Sequence, residues 1–213
     1  MRPVPRRLPA DQRRAQLLTA ALRIAETEGL GAVTVRGVAE GAGVSLGVVH
    51  YCFTDKEELV REVIREVNDD VHRAARAFLD VDFADGASGV EGLRRRLREA
   101  IDLVWAVISA APDRQLLTYE IVSYSLRTHG HPEAGLAGGQ MAGQEEIVRV
   151  VLDRAAEGAG TRWTLDPDEL CAFVLAVLDG VGLRWQIDRD TAAARSLLHL
   201  GVDLVVARAE PAA

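Results

Sequence analysis

The chain has 213 residues, of which 48% are hydrophobic, 27% are charged and 5% are aromatic, and its net charge at neutral pH is −7. Two cysteines, Cys52 and Cys171, are too few for a disulfide framework or a four-ligand zinc site, and no apolar run in the sequence approaches the roughly 18 residues that span a bilayer. Composition therefore predicts a soluble, cytoplasmic globular protein of one or two domains, without a membrane partner.

The charge is unevenly distributed along the chain. Residues 1–64 hold nine Arg or Lys against eight Asp or Glu, whereas the remaining residues hold sixteen against twenty-four. Five of the nine cations are arginines within the first fourteen residues. A basic N-terminal segment followed by an acidic remainder of the chain indicates either a solvated tail or a segment that binds an anionic partner such as nucleic acid.

Apolar residues recur at intervals of three and four along most of the chain, which predicts helices. The first helix spans residues 11–28 and ends at Gly29, and the second runs from an N-cap at Thr34 to residue 40. A short third helix starts with Ser45 as its cap. Asp55 and Glu58 form a predicted capping box for a long fourth helix that reaches residue 80.

Longer helices are predicted in the second part of the chain, over residues 90–109, 112–128, 133–157, 166–188 and 191–208. A breaker, His129-Gly130-His131-Pro132, separates two of them. No segment alternates in the manner of a strand with turn signals, so the predicted fold class is all-α.

Residues 34–52 form a predicted helix-turn-helix, two short helices joined by a turn in which Gly43 supplies a positive φ. Val44 and Val49 are expected to pack the second helix against the rest of the domain. Exposed aliphatic side chains on such a short helix suit a DNA major groove, where they contact thymine methyl groups. The spacing alone leaves open that both helices only pack a helical core. The face expected to point outward carries Ser45, Leu46, Gly47, Val48, His50 and Tyr51.

This N-terminal segment resembles the TetR family of bacterial transcriptional regulators. Apolar, glycine and lysine positions agree together from residue 16 to residue 59, and a shorter family-like segment occurs in the penultimate helix. The matching segments are Gln16-Leu17-Leu18, Thr34-Val35-Arg36-Gly37-Val38-Ala39, Ala42-Gly43-Val44-Ser45-Leu46-Gly47, Phe53-Thr54-Asp55-Lys56-Glu57-Glu58-Leu59 and Leu178-Asp179-Gly180-Val181.

The resemblance implies roles for individual residues. Thr34 and Arg36 would meet phosphates at the start of the first motif helix, with Arg36 reaching a base edge. Lys56, the chain's single lysine, matches the family's phosphate-contacting lysine, and a compact ammonium near a helix N-terminus suits that task. The family usually has tyrosine at the position of His50, whereas here the neighbouring Tyr51 is the aromatic residue. The resemblance therefore implies the docking mode and leaves the base contacts open.

The last two predicted helices are apolar almost all round, which predicts that they are buried on two sides. A four-helix bundle across a twofold axis would achieve this in a homodimer, and burial of both helices within one chain is the alternative. The middle helices are expected to enclose a small-molecule site, because aromatic bodies with polar tips occur there; core packing is again the alternative. The candidate ligand residues are Trp105, Tyr119, Glu120, Ser123, Tyr124 and Trp185.

Other motifs give weaker signals. The glycine-rich segment 41–47 lacks the preceding strand of a dinucleotide loop. His129 and His131 have the spacing of a loop metal pair but no convincing third ligand. No arrangement of Ser, His and Asp or of Cys and His suggests nucleophilic catalysis, so no enzyme activity, metal or cofactor is predicted.

Pattern and resemblance together predict two domains. Residues 1–55, with an Arg-rich N-terminal arm, are expected to form a three-helix helix-turn-helix domain, and residues 56–213 a helical ligand-binding and dimerisation domain. The predicted function is a homodimeric transcriptional repressor that a small-molecule effector releases from a palindromic operator in double-stranded DNA. The alternative is an all-helical protein–protein adaptor that does not bind DNA.

Overall fold

The computed structural model describes residues 9–79, 88–129 and 136–212, which form nine α-helices, one short 3-10 helix (Leu30–Ala32) and two three-residue strands. The all-α prediction is confirmed. The strands, β1 (Thr161–Trp163) and β2 (Ala209–Pro211), pair antiparallel and are too short to produce a recognisable alternation. The helices are α1 (Ala10–Glu28), α2 (Val35–Gly41), α3 (Leu46–Cys52), α4 (Lys56–Leu79), α5 (Gly89–Ala110), α6 (Pro112–His129), α7 (Leu136–Ala159), α8 (Pro167–Asp188) and α9 (Thr191–Val206).

Side chains and backbone geometry at the helix ends explain most of these boundaries. Gly29, with φ +87°, ends α1 in a conformation that other residues rarely adopt. The Asp166 carboxylate accepts a hydrogen bond from the Asp168 N–H at 2.8 Å and caps α8. The Asp190 carboxylate caps α9 by accepting from the Ala193 N–H at 2.9 Å. Each cap supplies an acceptor for an N–H that the helix itself leaves unpaired.

The first core lies between α1, α2, α3 and the first half of α4. The packing continues past residue 55, where the domain boundary is predicted, because Leu59, Val63 and Val67 of α4 belong to this core. Leu117 and Ile121 of α6 also enter it. The N-terminal helices are therefore held against a helix that belongs, by sequence, to the second half of the chain.

The remaining helices form a second group in which α5, α7, α8 and α9 pack together around apolar side chains that include Leu93, Leu152 and Val206. A smaller cluster links α5, α8 and α9 through Trp105 and Trp185, whose ring centroids lie 5.4 Å apart in an edge-to-face pair. The strand pair joins the chain just before α8 to the chain just after α9.

One helix in the described ranges, α8, is long and apolar enough to cross a membrane by length and composition, with 28% of the apolar window buried. The sequence predicts no apolar run of this length, and α8 meets only the criterion of length and mean hydropathy. A helix that covers a core or a subunit interface satisfies the same criterion. In this protein, α8 packs against α7 and α9.

Candidate nucleic-acid interface and internal cavity

The helix-turn-helix forms where the sequence predicts it. The Thr34 hydroxyl accepts a hydrogen bond from the Gly37 N–H at 3.0 Å and caps α2. Gly43 has φ +66°, and the following Val44 N–H donates to the Ala39 carbonyl at 3.0 Å, which closes the turn. Ser45 precedes α3, but its side chain accepts no capping hydrogen bond, so the expectation that it is a side-chain cap is wrong.

Most of the predicted recognition face of α3 points to solvent. Ser45, Gly47 and His50 are exposed, and the exposed fraction reaches 46% for Leu46 and 80% for Tyr51. An aromatic ring and a leucine left in water on one seven-residue helix are costly in a monomer and indicate a surface that another molecule covers.

Val48 departs from the prediction. Its side chain is half-buried and packs against the N-terminal core, beside the fully buried Val49. The chain enters α3 at such an angle that residues 44, 48, 49 and 52 all face inward to some degree. Val48 therefore packs between the recognition face and the core and does not form part of that face.

The predicted phosphate contacts flank this face. Thr34 and Arg36 are exposed at the start of α2, and Lys56 is exposed at the first residue of α4. The Arg36 Nε atom lies 3.2 Å from the Glu40 carboxylate in an exposed pair one helical turn apart. Such a pair contributes little to stability, so Arg36 can exchange Glu40 for a phosphate at small cost. Of the five arginines in the Arg-rich N-terminal segment, Arg2, Arg6 and Arg7 lie outside the described residues, whereas Arg13 and Arg14 belong to α1.

Arg14 connects α1 to the end of α3 and the start of α4. Its guanidinium donates to the backbone carbonyl of Cys52 and to the Glu58 carboxylate, the latter at 2.8 Å, and lies 4.3 Å from the centre of the Phe53 ring. Glu58 also accepts from the Thr54 N–H at 2.7 Å. The Thr54 N–H and the Arg14 guanidinium lower the pKa of Glu58 to about 2.

The predicted capping box at α4 is present in a modified form. The Asp55 carboxylate accepts from the Glu58 N–H at 2.7 Å, as expected, but the Glu58 side chain reaches back to Thr54 and not to Asp55. Together with Arg14 these bonds fix the position of α3 relative to Lys56.

A cavity of about 160 Å³ lies between helices α4 to α9. Its wall is mostly aliphatic, with four polar side chains: Gln115 and Thr118 from α6, Gln144 from α7 and Asp179 from α8. Partial burial raises the pKa of the Asp179 carboxyl group. The aliphatic and aromatic lining comes from Val67, Leu97, Ala100, Ile101, Val104, Ile108, Ile147, Val148, Val151, Leu152, Phe173, Val174, Leu175, Val177, Leu178, Leu198, Val202 and Val205.

None of the six predicted ligand residues lines this cavity. Trp105 and Trp185 are buried in their own cluster, and the Trp185 Nε1–H donates to the Thr191 hydroxyl at 3.1 Å. Ser123 is exposed, and Tyr124 packs against the N-terminal core. These residues follow the alternative reading of core packing, because an aromatic residue at helical spacing fills space between helices wherever it occurs.

Glu120 holds the two halves of the chain together. Its carboxylate accepts a hydrogen bond at 2.9 Å from the N–H of Leu30, the first residue of the 3-10 helix, and lies against Gly29. Six residues earlier on α6, the Arg114 Nε–H donates to the Glu26 carboxylate at 2.7 Å. Glu120 is predicted to select a ligand; in the structure its carboxylate instead caps a helix of the N-terminal domain and lies outside the cavity wall.

Tyr119 lies between α6 and α8, close to the cavity but outside its wall. Its hydroxyl accepts from the Gln115 side-chain amide at 3.1 Å and donates to the Asp179 backbone carbonyl at 3.2 Å. Burial raises the pKa of this phenol. Gly182 permits the approach, because a Cβ atom there would lie 2.6 Å from the Tyr119 hydroxyl oxygen.

The sequence analysis missed Gln115, Gln144 and Asp179 as cavity residues. A usable signal existed for Asp179, which is the single charged residue between positions 170 and 183 of an otherwise apolar helix. An acid at the centre of such a helix faces either solvent or a site. For Gln115 and Gln144 the sequence carries no comparable signal.

The candidate metal pair cannot be placed, since His131 lies outside the described residues. Within the described ranges, no group of three or more His, Cys, Asp or Glu side chains could hold a metal ion.

Comparisons with known proteins show that the N-terminal part of the chain is similar to bacterial transcriptional regulators. Residues 17–63 match the family model of bacterial regulatory proteins, tetR family. The chain is 30% identical over 125 residues to the HTH-type nicotine-responsive transcriptional repressor HdnoR of Paenarthrobacter nicotinovorans, covering 59% of this chain and 60% of that protein. It is 35% identical over 92 residues to the HTH-type transcriptional repressor KstR2 of Mycobacterium tuberculosis, covering 43% and 46%. The chain thus spans about half to three-fifths of the length of these curated relatives.

Solved structures extend the likeness to the whole fold. The transcriptional regulator of the TetR family from Cytophaga hutchinsonii superposes with a TM-score of 0.71 over 95% of this chain and 98% of that one, at 14% sequence identity. At this identity the match shows a shared fold and carries no information on ligands.

Proposed function

We propose that the chain is a transcriptional repressor of the TetR family that a small molecule releases from DNA. The match of residues 17–63 to the family model of bacterial regulatory proteins, tetR family, supports this proposal. Residues 1–55, completed by the first half of α4, form the DNA-binding domain, and residues 56–213 bind the effector and form a homodimer. The observation that carries the proposal is the solvent-exposed apolar face of α3, formed by Leu46 and Tyr51. The curated relatives HdnoR and KstR2, both named repressors, support the direction of regulation.

In the proposed complex α3 lies in the major groove. Leu46 and Tyr51 contact base edges and thymine methyl groups, and Ser45, Gly47 and His50 border them at the groove walls. Thr34, Arg36 and Lys56 contact phosphates on either side and fix the register. The exposure of every one of these residues supports this arrangement.

We assign dimerisation to α8 and α9, because both helices leave large apolar side chains in solvent. Leu183, Leu200 and Leu204 are more than half exposed, and Ile187 is 76% exposed. A second copy of the same face would bury them in a four-helix bundle and place two α3 helices about 34–36 Å apart, which is one turn of DNA and requires a palindromic operator.

The proposed coupling between effector and DNA runs through α4 and α6. Val67 of α4 and Gln115 and Thr118 of α6 line the cavity. The same α6 buries Leu117 and Ile121 in the N-terminal core. A ligand that favours one position of α6 therefore shifts the population of N-terminal domain orientations and changes the separation of the two α3 helices.

The test is a DNA-binding titration of the full chain against fragments of its own genome, at about 50 and about 200 mM salt. The proposal predicts specific binding that weakens steeply with salt and is lost in Tyr51→Ala. The control Arg154→Ala, an exposed cation on α7, retains it. Specific binding at neither salt concentration would refute the proposal and favour the protein–protein adaptor, which would use α8 and α9 for assembly.

A further inference from the structure

The cavity has a pronounced asymmetry in its polar groups. Of the four polar side chains in its wall, Asp179 is an acid, and Arg, Lys and His are absent from the lining that the structure describes. Gln115 already donates its amide to Tyr119, which leaves its carbonyl oxygen as an acceptor. Thr118 donates its hydroxyl to the Arg114 carbonyl. The wall therefore offers one negative charge and several hydrogen-bond acceptors, beside the second amide hydrogen of Gln115 and the side-chain amide of Gln144.

Asp179 is also without a cationic partner among the described residues. The neighbouring cation on α8, Arg184, is bonded to Asp188 at 2.8 Å. Asp179 is exposed in the single chain where it lines the cavity, yet the protein around it removes enough water to raise the pKa of its carboxyl group. A carboxylate in this position gains most from a positively charged group, which compensates the solvation it has lost.

The size of the cavity limits the ligand. An engineered cavity of about 150 Å³ in another protein holds one benzene molecule, and the cavity here is about 160 Å³. The aliphatic wall therefore accommodates one ring or a short alkyl chain, with the polar end directed at Asp179.

We propose that the effector is a small organic cation, an apolar ring or short chain bearing a protonated amine that pairs with the Asp179 carboxylate. The inference rests on the proposed function and specifies the chemistry of the site in it. The Tyr119 hydroxyl bond to the Asp179 backbone carbonyl attaches this turn of α8 directly to α6. Binding at Asp179 therefore acts on the helix that Glu120 connects to the DNA-binding domain.

The experiment compares two probes of nearly equal shape, 2-phenylethylamine and 2-phenylethanol, by calorimetric titration of the full chain at pH 7. A hydrogen-bonded pair with a charged group makes the amine bind about tenfold more tightly or better. In Asp179→Asn the two probes bind within about twofold of each other, because the carbonyl oxygen of Asn carries no charge. Asp153→Asn, which removes an exposed acid of α7 outside the cavity wall, retains the preference of the unmodified protein.

Three results would overturn the inference: equal binding of both probes to the unmodified protein, an amine preference that survives in Asp179→Asn, or no binding of the amine. Ligand-free DNA binding, measured on the same samples, tests the proposed function separately. If DNA binding is intact and the amine preference is missing, the ligand class is wrong and the regulator stands. If specific DNA binding is missing while the amine binds through Asp179, the regulator is wrong and the cation site stands.

Discussion

Replacing Glu120 by Ala tests the contact between the two halves of the chain. Leu30 is buried, and its N–H begins the 3-10 helix, where the helix provides no acceptor of its own. The Glu120 carboxylate is the acceptor at 2.9 Å. Its removal leaves a buried donor unpaired, so we expect the free energy of unfolding to fall by about 2 kcal/mol, within the range for hydrogen bonds to charged groups.

Glu120→Gln is the matched control, because the amide carbonyl keeps an acceptor in the same place and loses only the charge. We expect it to cost about 1 kcal/mol or less, the difference between a hydrogen bond to a charged group and a neutral one. Urea unfolding followed by circular dichroism, at one fixed protein concentration, gives both values. Equal losses in the two variants would show that the Leu30 bond contributes nothing and that Glu120 acts through its charge alone.

The second readout for Glu120 is the coupling to DNA. Both variants should fold and bind DNA without ligand, but Glu120→Ala should reduce the factor by which 2-phenylethylamine weakens DNA binding, since α6 loses one of its attachments to the N-terminal domain. An unchanged factor in Glu120→Ala would locate the coupling elsewhere, with α4 as the remaining continuous connection.

Three further predictions concern separate parts of the molecule. The lowered pKa of Glu58 stabilises the fold above its ordinary pKa of 4.5, and this contribution is lost as pH falls toward 2. Urea midpoints should therefore fall in acid, and the destabilisation caused by Arg14→Ala should be largest at pH 7 and shrink as Glu58 takes up a proton. Lys56→Ala should weaken binding to all DNA sequences alike and reduce the slope of log affinity against log salt by about one; an unchanged slope would exclude a phosphate contact. If the chain forms the proposed dimer, Leu204→Glu should convert it to monomer in sedimentation equilibrium, whereas Thr27→Glu on α1 should not. A dimer that persists in Leu204→Glu would place the interface elsewhere.

The sequence predicted the N-terminal elements well, because their signals are local. The caps at Thr34 and Asp55 and the turn at Gly43 depend on residues within four positions of each other, and each is found where it was expected. The exception is Val48. A helix of seven residues has too few apolar positions for its periodicity to show which side chains face inward. The angle at which α3 meets α1 decides how much of the Val48 side chain is buried.

The ligand site could not be predicted in the same way. The sequence predicts a ligand site among aromatic residues with polar tips. In the structure, Trp105 and Trp185 pack against each other, and Glu120 accepts a hydrogen bond from the N-terminal domain. A cavity wall is assembled from six helices, so its composition follows from how the helices are rotated against one another, and sequence periodicity does not fix that rotation. Only Asp179 carried a local signal, as a charge at the centre of an apolar helix.

The strand pair has a consequence for how the molecule could change over evolutionary time. Because Thr161–Trp163 pairs with Ala209–Pro211, the start of α8 and the end of α9 are joined by backbone hydrogen bonds, while the short loop before Thr191 joins their other ends. In the proposed regulator, motion in response to an effector would then be left to α4 and α6, which lie outside the α8–α9 pair. In the proposed regulator, substitutions on the α6 side of the cavity would therefore retune effector choice without touching the pairing face. Substitutions on α8 or α9 would affect both properties, because these helices supply cavity wall as well as exposed leucines.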